Sequence, residues 1–250
     1  MKFFLSLLLL MTLSLTWAQD KTPVATGKQT GDMIFLRDYG TDDTGYLVVP
    51  EKQPSAGIVM LPDRYGITPK VKEFCAELAR EGYLVLCLDI YNGRTAKTEI
   101  EAEQMAAMLF EKNIRKTLRT GLKFFEASPR FQMEKKVVIA WGATDQLAVR
   151  CAANEKDLYG LVLIYPSHAP EQEQMLDLKT SLYIQIPEDS PNITSFRALE
   201  PELTNRLRKN FELKILPRDS GETIATTALH TFIQQILIQP KTDTLLEKIF

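Results

Sequence analysis

Short apolar runs alternate with amphipathic segments along most of the 250-residue chain. The apolar runs have the length and composition of buried strands, and the segments between them repeat apolar residues at helical spacing. Tyr83–Leu88 is apolar on both faces, which is typical of a strand inside a parallel sheet. Pro69–Arg80 has a proline at its start and Gly82 just beyond its end, as helices often do. This alternation predicts one α/β domain, with a mostly parallel central sheet and helices on both faces.

The pattern assigns most of the chain to one type of element or the other. The predicted strands are residues 33–36, 46–49, 57–61, 83–88, 136–140, 161–165, 181–186 and 211–216. The predicted helices are residues 69–80, 99–110, 114–125, 145–153, 195–209 and 222–237. We expect the first two strands to form a hairpin around residues 42–45.

The N-terminal segment has the pattern of a secretory signal. Lys2 precedes a run of residues 3–15 that is apolar apart from three Ser or Thr residues, and Thr16-Trp17-Ala18 offers a cleavage site. The run is shorter than the ~20 residues of a membrane-spanning helix. We therefore expect a secreted or periplasmic protein that is not an integral membrane protein after signal cleavage, with an uncleaved anchor as the alternative. The predicted divisions are a signal peptide at 1–18, a flexible leader at 19–31, the folded domain at 32–238 and a C-terminal tail at 239–250.

Composition and motif content exclude several classes of function. Lys plus Arg number 30 and Asp plus Glu 32, so no nucleic-acid-binding surface is expected. The chain has no pair of histidines at helical spacing, no Cys-x-x-Cys and no glycine-rich phosphate loop, so we predict no metal and no cofactor. Three cysteines, Cys75, Cys87 and Cys151, are too few for a disulfide framework and are expected to be buried, although one bridge remains open.

Two sequence blocks carry a family resemblance. The first is Gly57-Ile-Val-Met-Leu-Pro-Asp-Arg-Tyr-Gly66-Ile, and the second is Glu81-Gly-Tyr-Leu-Val-Leu-Cys-Leu-Asp-Ile-Tyr91-Asn-Gly-Arg94. In this order and spacing they resemble the dienelactone hydrolases of the α/β-hydrolase superfamily, and weaker agreement extends over residues 30–238. The resemblance implies the α/β-hydrolase fold and a cleft at the carboxyl ends of the strands.

The resemblance also implies where the chemistry would be carried out. Family members hold a nucleophile, Cys or Ser, on a tight strand-to-helix elbow within a Gly-x-Cys-x-Gly-Gly pattern. The matching stretch here is Val138-Ile-Ala-Trp-Gly142-Ala-Thr-Asp145, which puts Gly142 at the nucleophile position. Glycine has no side chain with which to form a covalent intermediate.

At the acid position of the family's triad this chain has a residue that can do the chemistry, whereas at the base position it does not. The acid position falls on Asp189, for which capping of the following helix is the alternative role. The base position falls on Gly221, so the triad is degenerate. The two histidines of the chain lie elsewhere: His230 in an amphipathic helix, where packing explains it, and His168 after a predicted strand, at the rim of the cleft.

Other residues match positions that line the cleft in the family. Asp63 replaces a glutamate that contacts the resting thiol, and Arg94 lies near a basic residue that holds a substrate carboxylate. Each also has a plainer role: Asp63 can pair with Arg64, Arg94 can be a surface residue, and the aromatic side chains can simply fill the cleft. The candidate ligand-binding residues are Asp63, Tyr65, Arg94, Trp141 and His168.

Three functions follow from these expectations. The first is an exported, non-catalytic family member, a pseudoenzyme, whose cleft binds a small carboxylate or ester ligand or a protein partner. The second is a hydrolase of carboxylic esters or lactones that uses a non-standard constellation, with a base such as His168. The third is an interaction module whose cleft is filled by side chains.

Overall fold

A computed structural model describes residues 30–169, 171–207, 210–218 and 224–239. The predicted signal peptide, most of the leader and tail, and Gly221 lie outside these residues. Eight strands of the described part form one sheet in the order β1-β2-β4-β3-β5-β6-β7-β8. The strands are β1 Asp32–Phe35, β2 Thr44–Val48, β3 Ala56–Leu61, β4 Tyr83–Leu88, β5 Lys136–Trp141, β6 Leu158–Ile164, β7 Ser181–Pro187 and β8 Phe211–Leu216.

The sheet is mostly parallel, as the sequence predicts. The first two strands form the expected antiparallel hairpin, but the predicted turn at 42–45 was wrong: the connection spans residues 36–43, and Thr44 already pairs with Phe35. β2 pairs antiparallel with β4, and every other neighbouring pair is parallel. From β3 the chain moves outward to β4 and then returns to β5 on the other side of β3. The carboxyl ends of β3 and β5 therefore lie side by side at a point where the strand order reverses, and such points are where open α/β sheets bind ligands.

Helices cover both faces of this sheet. They are α1 Pro69–Arg80, α2 Glu99–Ala107, α3 Glu111–Ala127, α4 Asp145–Ala152, α5 Gln172–Leu176, α6 Ile193–Leu207 and α7 Thr226–Leu237. In β3, Ile58 and Met60 pack into the apolar cluster that contains α1 and α7, whereas Val59 and Leu61 pack into the one that contains α3, α4 and α6. This division follows from the period of two along a strand.

Local sequence signals explain where α1 and α2 begin. The side chain of Thr68 caps α1 by accepting from the backbone N–H of Val71, and Thr98 with Glu101 forms a capping box at the start of α2. The prediction was wrong at the end of α2, which stops at Ala107 because Phe110 is extended and serves as the N-cap of α3. The short helix α5 was not predicted.

The cysteines behave as small apolar residues. Cys75, Cys87 and Cys151 are buried and unpaired, and the Sγ of Cys75 lies 3.7 Å from the Sδ of Met60. No helix of the described residues is long and apolar enough to cross a membrane. Those residues also contain no group of three His, Cys, Asp or Glu side chains placed to hold a metal ion.

Candidate functional site

The elbow, which we define as residues 142–144, connects β5 to α4. Trp141 ends the strand in an extended conformation, Gly142 has a φ of 62°, and a single 3-10 turn leads into α4 at Asp145. A Cβ placed on Gly142 would lie 3.5 Å from the Cβ of Asp63 and 3.9 Å from the Oγ of Ser167, both ordinary contact distances. The position therefore has room for a side chain but carries none.

Asp63 borders the elbow from the loop that follows β3. Its Oδ1 accepts from the backbone N–H of Tyr65 at 2.9 Å, which fixes the carboxylate beside the carboxyl end of the strand. Behind it lies Tyr91, which is buried and whose hydroxyl has no hydrogen-bond partner among the described residues. Burial, assisted by the negative charge of Asp63, raises the pKa of Tyr91. The phenol is therefore neutral over the whole physiological range.

His168 is held at the elbow by Asp145. One carboxylate oxygen of Asp145 accepts from the backbone N–H of His168 at 2.9 Å, and the other lies 3.5 Å from the imidazole Nδ1. Asp145 is only 1% exposed, whereas the side chain of His168 is 56% exposed. Burial raises the pKa of Asp145, although the hydrogen bonds from His168 and Gln146 act in the opposite direction. The pair thus combines a buried carboxylate with an accessible imidazole.

The loop that carries His168 is anchored on both sides. It leaves β6 through Tyr165, a non-glycine residue with a φ of 50°, whose backbone N–H donates to the carbonyl of Gln185. Further along, the carbonyl of Ser167 accepts from the side-chain amide of Asn192 at 2.7 Å. These anchors, together with Asp145, hold the loop over the carboxyl end of the sheet.

Asp189 and Arg94 lie apart from this group. Asp189 is exposed in the turn after β7, and among the described residues it makes neither a triad contact with His168 nor a capping hydrogen bond. Arg94 is exposed, donates from Nε to the carbonyl of Tyr91, and borders a groove of about 480 Å³ between the end of β4 and the α2–α3 junction. The assignment of Asp189 as triad acid stays a prediction, and so does the assignment of Arg94 as a carboxylate contact.

The aromatic candidates are engaged with the protein itself. Trp141 is 4% exposed and packs edge-on against Phe74, with 5.6 Å between the ring centroids. The hydroxyl of Tyr65 donates to the carboxylate of Glu99, which also pairs with the guanidinium of Arg64. Trp141 therefore contributes packing, and Tyr65 joins the loop after β3 to the start of α2.

The structure thus brings only part of the predicted set together. Asp63 lies beside Gly142, and His168 contacts Asp145, the first residue after the elbow. Gly221 is outside the described residues. His230 lies in α7, where its Nδ1 is 2.9 Å from the hydroxyl of Tyr83 and its Nε2 is 3.3 Å from Glu81. These two contacts join α7 to residues 81–83, so the role of His230 is structural.

Two residues that border the elbow, Asp145 and Ser167, were not predicted as site residues. The available signal for Asp145 is its place as the first residue of the helix after the elbow, where an acidic side chain is ordinarily explained by the helix dipole. Ser167 stands next to His168 in sequence, and nothing in the chain marks its proximity to Gly142.

Comparison with known proteins identifies the fold. A solved dienelactone hydrolase-like promiscuous phosphotriesterase from metagenomic libraries superposes with a TM-score of 0.68 at 17% identity, covering 84% of this chain and 99% of the other. A dienelactone hydrolase from Anabaena variabilis superposes with a TM-score of 0.57 at 17% identity, over 84% of this chain and 96% of the other. At this level of identity, these matches show a shared fold.

Sequence comparison reaches two proteins of Aquifex species. A "Putative carboxymethylenebutenolidase" of Aquifex aeolicus (strain VF5) is 27% identical over 107 residues, and "Protein usf" of Aquifex pyrophilus is 26% identical over 113 residues. The matches cover 42% and 43% of this chain, and 44% and 48% of the two relatives, so they span less than half of each protein. The model of the dienelactone hydrolase family matches residues 44–217, most of the chain. The chain therefore belongs to the dienelactone hydrolase family.

Proposed function

We propose that the protein uses the dienelactone hydrolase fold to bind a small ester or lactone without the family's covalent chemistry. The observation that carries this proposal is Gly142: the elbow has the backbone conformation of a nucleophile turn, with room for a side chain and no reactive atom. A missing nucleophile alone removes most of the rate acceleration in enzymes of this kind.

The charges around the elbow indicate which ligands fit. Asp63 and Asp145 both place carboxylates there, and a ligand carboxylate beside them would be a third anion, which is electrostatically unfavourable. A neutral ester or lactone avoids this repulsion and can accept a hydrogen bond from His168, whose imidazole is accessible. We therefore favour the neutral ligand over a free carboxylate, which remains an outcome of the binding test.

Restoring the missing groups tests the proposal. The wild-type protein and a double variant, Gly142→Cys with Gly221→His, are assayed with chromogenic short-chain esters, and lactone binding is followed by the shift in melting temperature. We expect wild-type turnover at the buffer rate, lactone-dependent stabilisation of wild type, and measurable turnover only in the double variant. Gly82→Cys, another glycine with positive φ and open space around it, controls for a newly exposed thiol. Wild-type turnover well above buffer would contradict the proposal.

A second function is favoured by the contact between His168 and Asp145. A carboxylate 3.5 Å from the imidazole Nδ1 can orient the ring, which leaves Nε2 to act as a general base that activates water. This would make the protein a hydrolase with a non-standard constellation. Under this alternative, His168→Ala abolishes ester turnover and Asp145→Asn lowers it strongly. Ser167→Ala tests whether the nearby hydroxyl takes part.

We further propose that the protein is exported, on the strength of the N-terminal pattern of residues 1–18. Expression of the full chain and N-terminal sequencing of the product tests this. A product that starts at Gln19 in the periplasmic or extracellular fraction is expected, and an intact N-terminus in the membrane fraction would instead indicate an anchor.

A further inference from the structure

The outward face of α3 carries a row of basic side chains, which we call the basic stripe. At 3.6 residues per turn these residues fall within an arc of about 100° and span about 16 Å of the helix. The apolar residues of α3 point the opposite way, into the core beneath the sheet. The basic stripe consists of Lys112, Arg115, Lys116, Arg119 and Lys123.

Part of this positive charge is uncompensated. Arg115 pairs with Glu111, and the Nε of Arg119 lies 3.1 Å from the carboxylate of Glu155. The ammonium groups of Lys112, Lys116 and Lys123 have no hydrogen-bond or ion-pair partner among the described residues, and all three side chains are exposed. The whole chain has a formal net charge of −2, so the positive charge of the stripe is a local feature.

The stripe borders a concave surface. All five residues line a groove of about 550 Å³, to which Tyr39, Glu126 and Glu155 also contribute. A second groove, of about 490 Å³, shares Arg115 with the first and adds Arg150, Lys179 and Asp177. Basic side chains therefore outnumber acidic ones in both grooves, which we call together the basic track. Because the two grooves meet at Arg115, their concave surface can accept a chain that runs through both, and it does not match a flat lipid surface.

We propose that the basic track binds a linear anionic polysaccharide. Lysine ammonium groups are mobile point charges that can follow a flexible chain of sulfate or carboxylate groups. Tyr39 is the one aromatic side chain among the described residues that line the first groove, and none lines the second, so a row of stacking platforms for successive bases is missing there. A helix face also lacks the open strand edge that aligns an extended peptide. These features favour a polysaccharide over a nucleic acid or an acidic peptide.

Heparin is the probe, and its binding is measured by calorimetry over a series of salt concentrations. The test variant combines Lys112→Gln, Lys116→Gln and Lys123→Gln. The control combines Lys52→Gln, Arg80→Gln and Lys97→Gln, which removes the same net charge from exposed positions away from the grooves. Because the charged groups of all six side chains have no partner among the described residues, we expect both triple variants to keep the wild-type melting temperature.

The expected result is a selective loss of affinity. The stripe variant binds heparin about tenfold or more weakly at about 0.15 M salt, and its plot of log affinity against log salt loses a slope of about 2 to 3, as removal of three ionic contacts predicts. The control variant stays within about twofold of wild type. Equal losses in both variants, absence of heparin binding at this salt, or tighter binding to single-stranded DNA, polyglutamate or phosphatidylglycerol vesicles would overturn the proposal.

Discussion

Asp145 holds His168 by both its backbone and its side chain. The backbone N–H of His168 donates to one carboxylate oxygen at 2.9 Å, and the imidazole Nδ1 lies 3.5 Å from the other. Asp145 begins the helix after the elbow, and His168 lies in the loop after the neighbouring strand β6. The contact therefore links the two connections that leave β5 and β6, next to the elbow that begins at Gly142.

Asp145 gives the folding stability a particular pH dependence. Burial raises its pKa above the ordinary value of 3.8, so the folded state binds this proton at a higher pH than the unfolded state does. The stabilising contribution is complete below the unfolded pKa and is lost as the pH rises through the raised folded pKa. We therefore expect Asp145→Asn to be more stable relative to wild type at pH 7 than at pH 4, so that its free energy of unfolding minus that of wild type rises with pH.

Urea denaturation of both proteins at several pH values between 4 and 7 measures this difference. Asp177→Asn, a change at an exposed aspartate, provides the control for a lost carboxylate. A difference between Asp145→Asn and wild type that is flat with pH, or that falls as the pH rises, would contradict the argument.

Glycine substitutions separate backbone strain from crowding. An added methyl group meets no atom closer than 3.5 Å at Gly142 and none within 4 Å at Gly82. Only the left-handed backbone therefore opposes alanine at these two positions, at a cost of about 1 kcal/mol in the free energy of unfolding. At Gly57 the new Cβ would lie 2.8 Å from the ring of Phe125, and overpacking of a core costs about 1–3 kcal/mol. Denaturant melts of the three alanine variants should therefore rank Gly57→Ala as the most destabilised.

The contact between Tyr83 and His230 ties the last described helix, α7, to the start of β4. Tyr83→Phe leaves the Nδ1 of His230 without its partner at 2.9 Å, and we expect a loss of about 1 kcal/mol. A double-mutant cycle with His230→Ala should return a coupling energy of about 0.5–1.5 kcal/mol. Glu81→Gln is a useful comparison because the side chain of Glu81 is 53% exposed, so its contact with the Nε2 of His230 should matter little. Strict additivity of the two changes would mean that the hydrogen bond contributes nothing.

The strands and most of the helices are predictable from the sequence because their periodicity is strong and their ends carry caps, prolines and glycines. The end of α2 is not, since residues 108–110 continue the composition of a helix while Phe110 adopts an extended conformation. The contact between Asp145 and His168 is not predictable either, because it depends on a turn through Tyr165 in the left-handed region, which no residue type there signals. The match of Gly142 to the nucleophile position rests on the resemblance to the family and stays a prediction.

At the strand reversal between β3 and β5, the elbow lies at the edge of the sheet, outside the apolar clusters that stabilise the fold. Gly142 follows the last residue of a strand, and the atoms nearest to its vacant Cβ position belong to Asp63 and Ser167, neither of which is part of the apolar clusters. The packing of the apolar clusters therefore does not depend on a side chain at position 142. We expect substitutions at the elbow to change the chemistry available there while the interior of the protein keeps its packing.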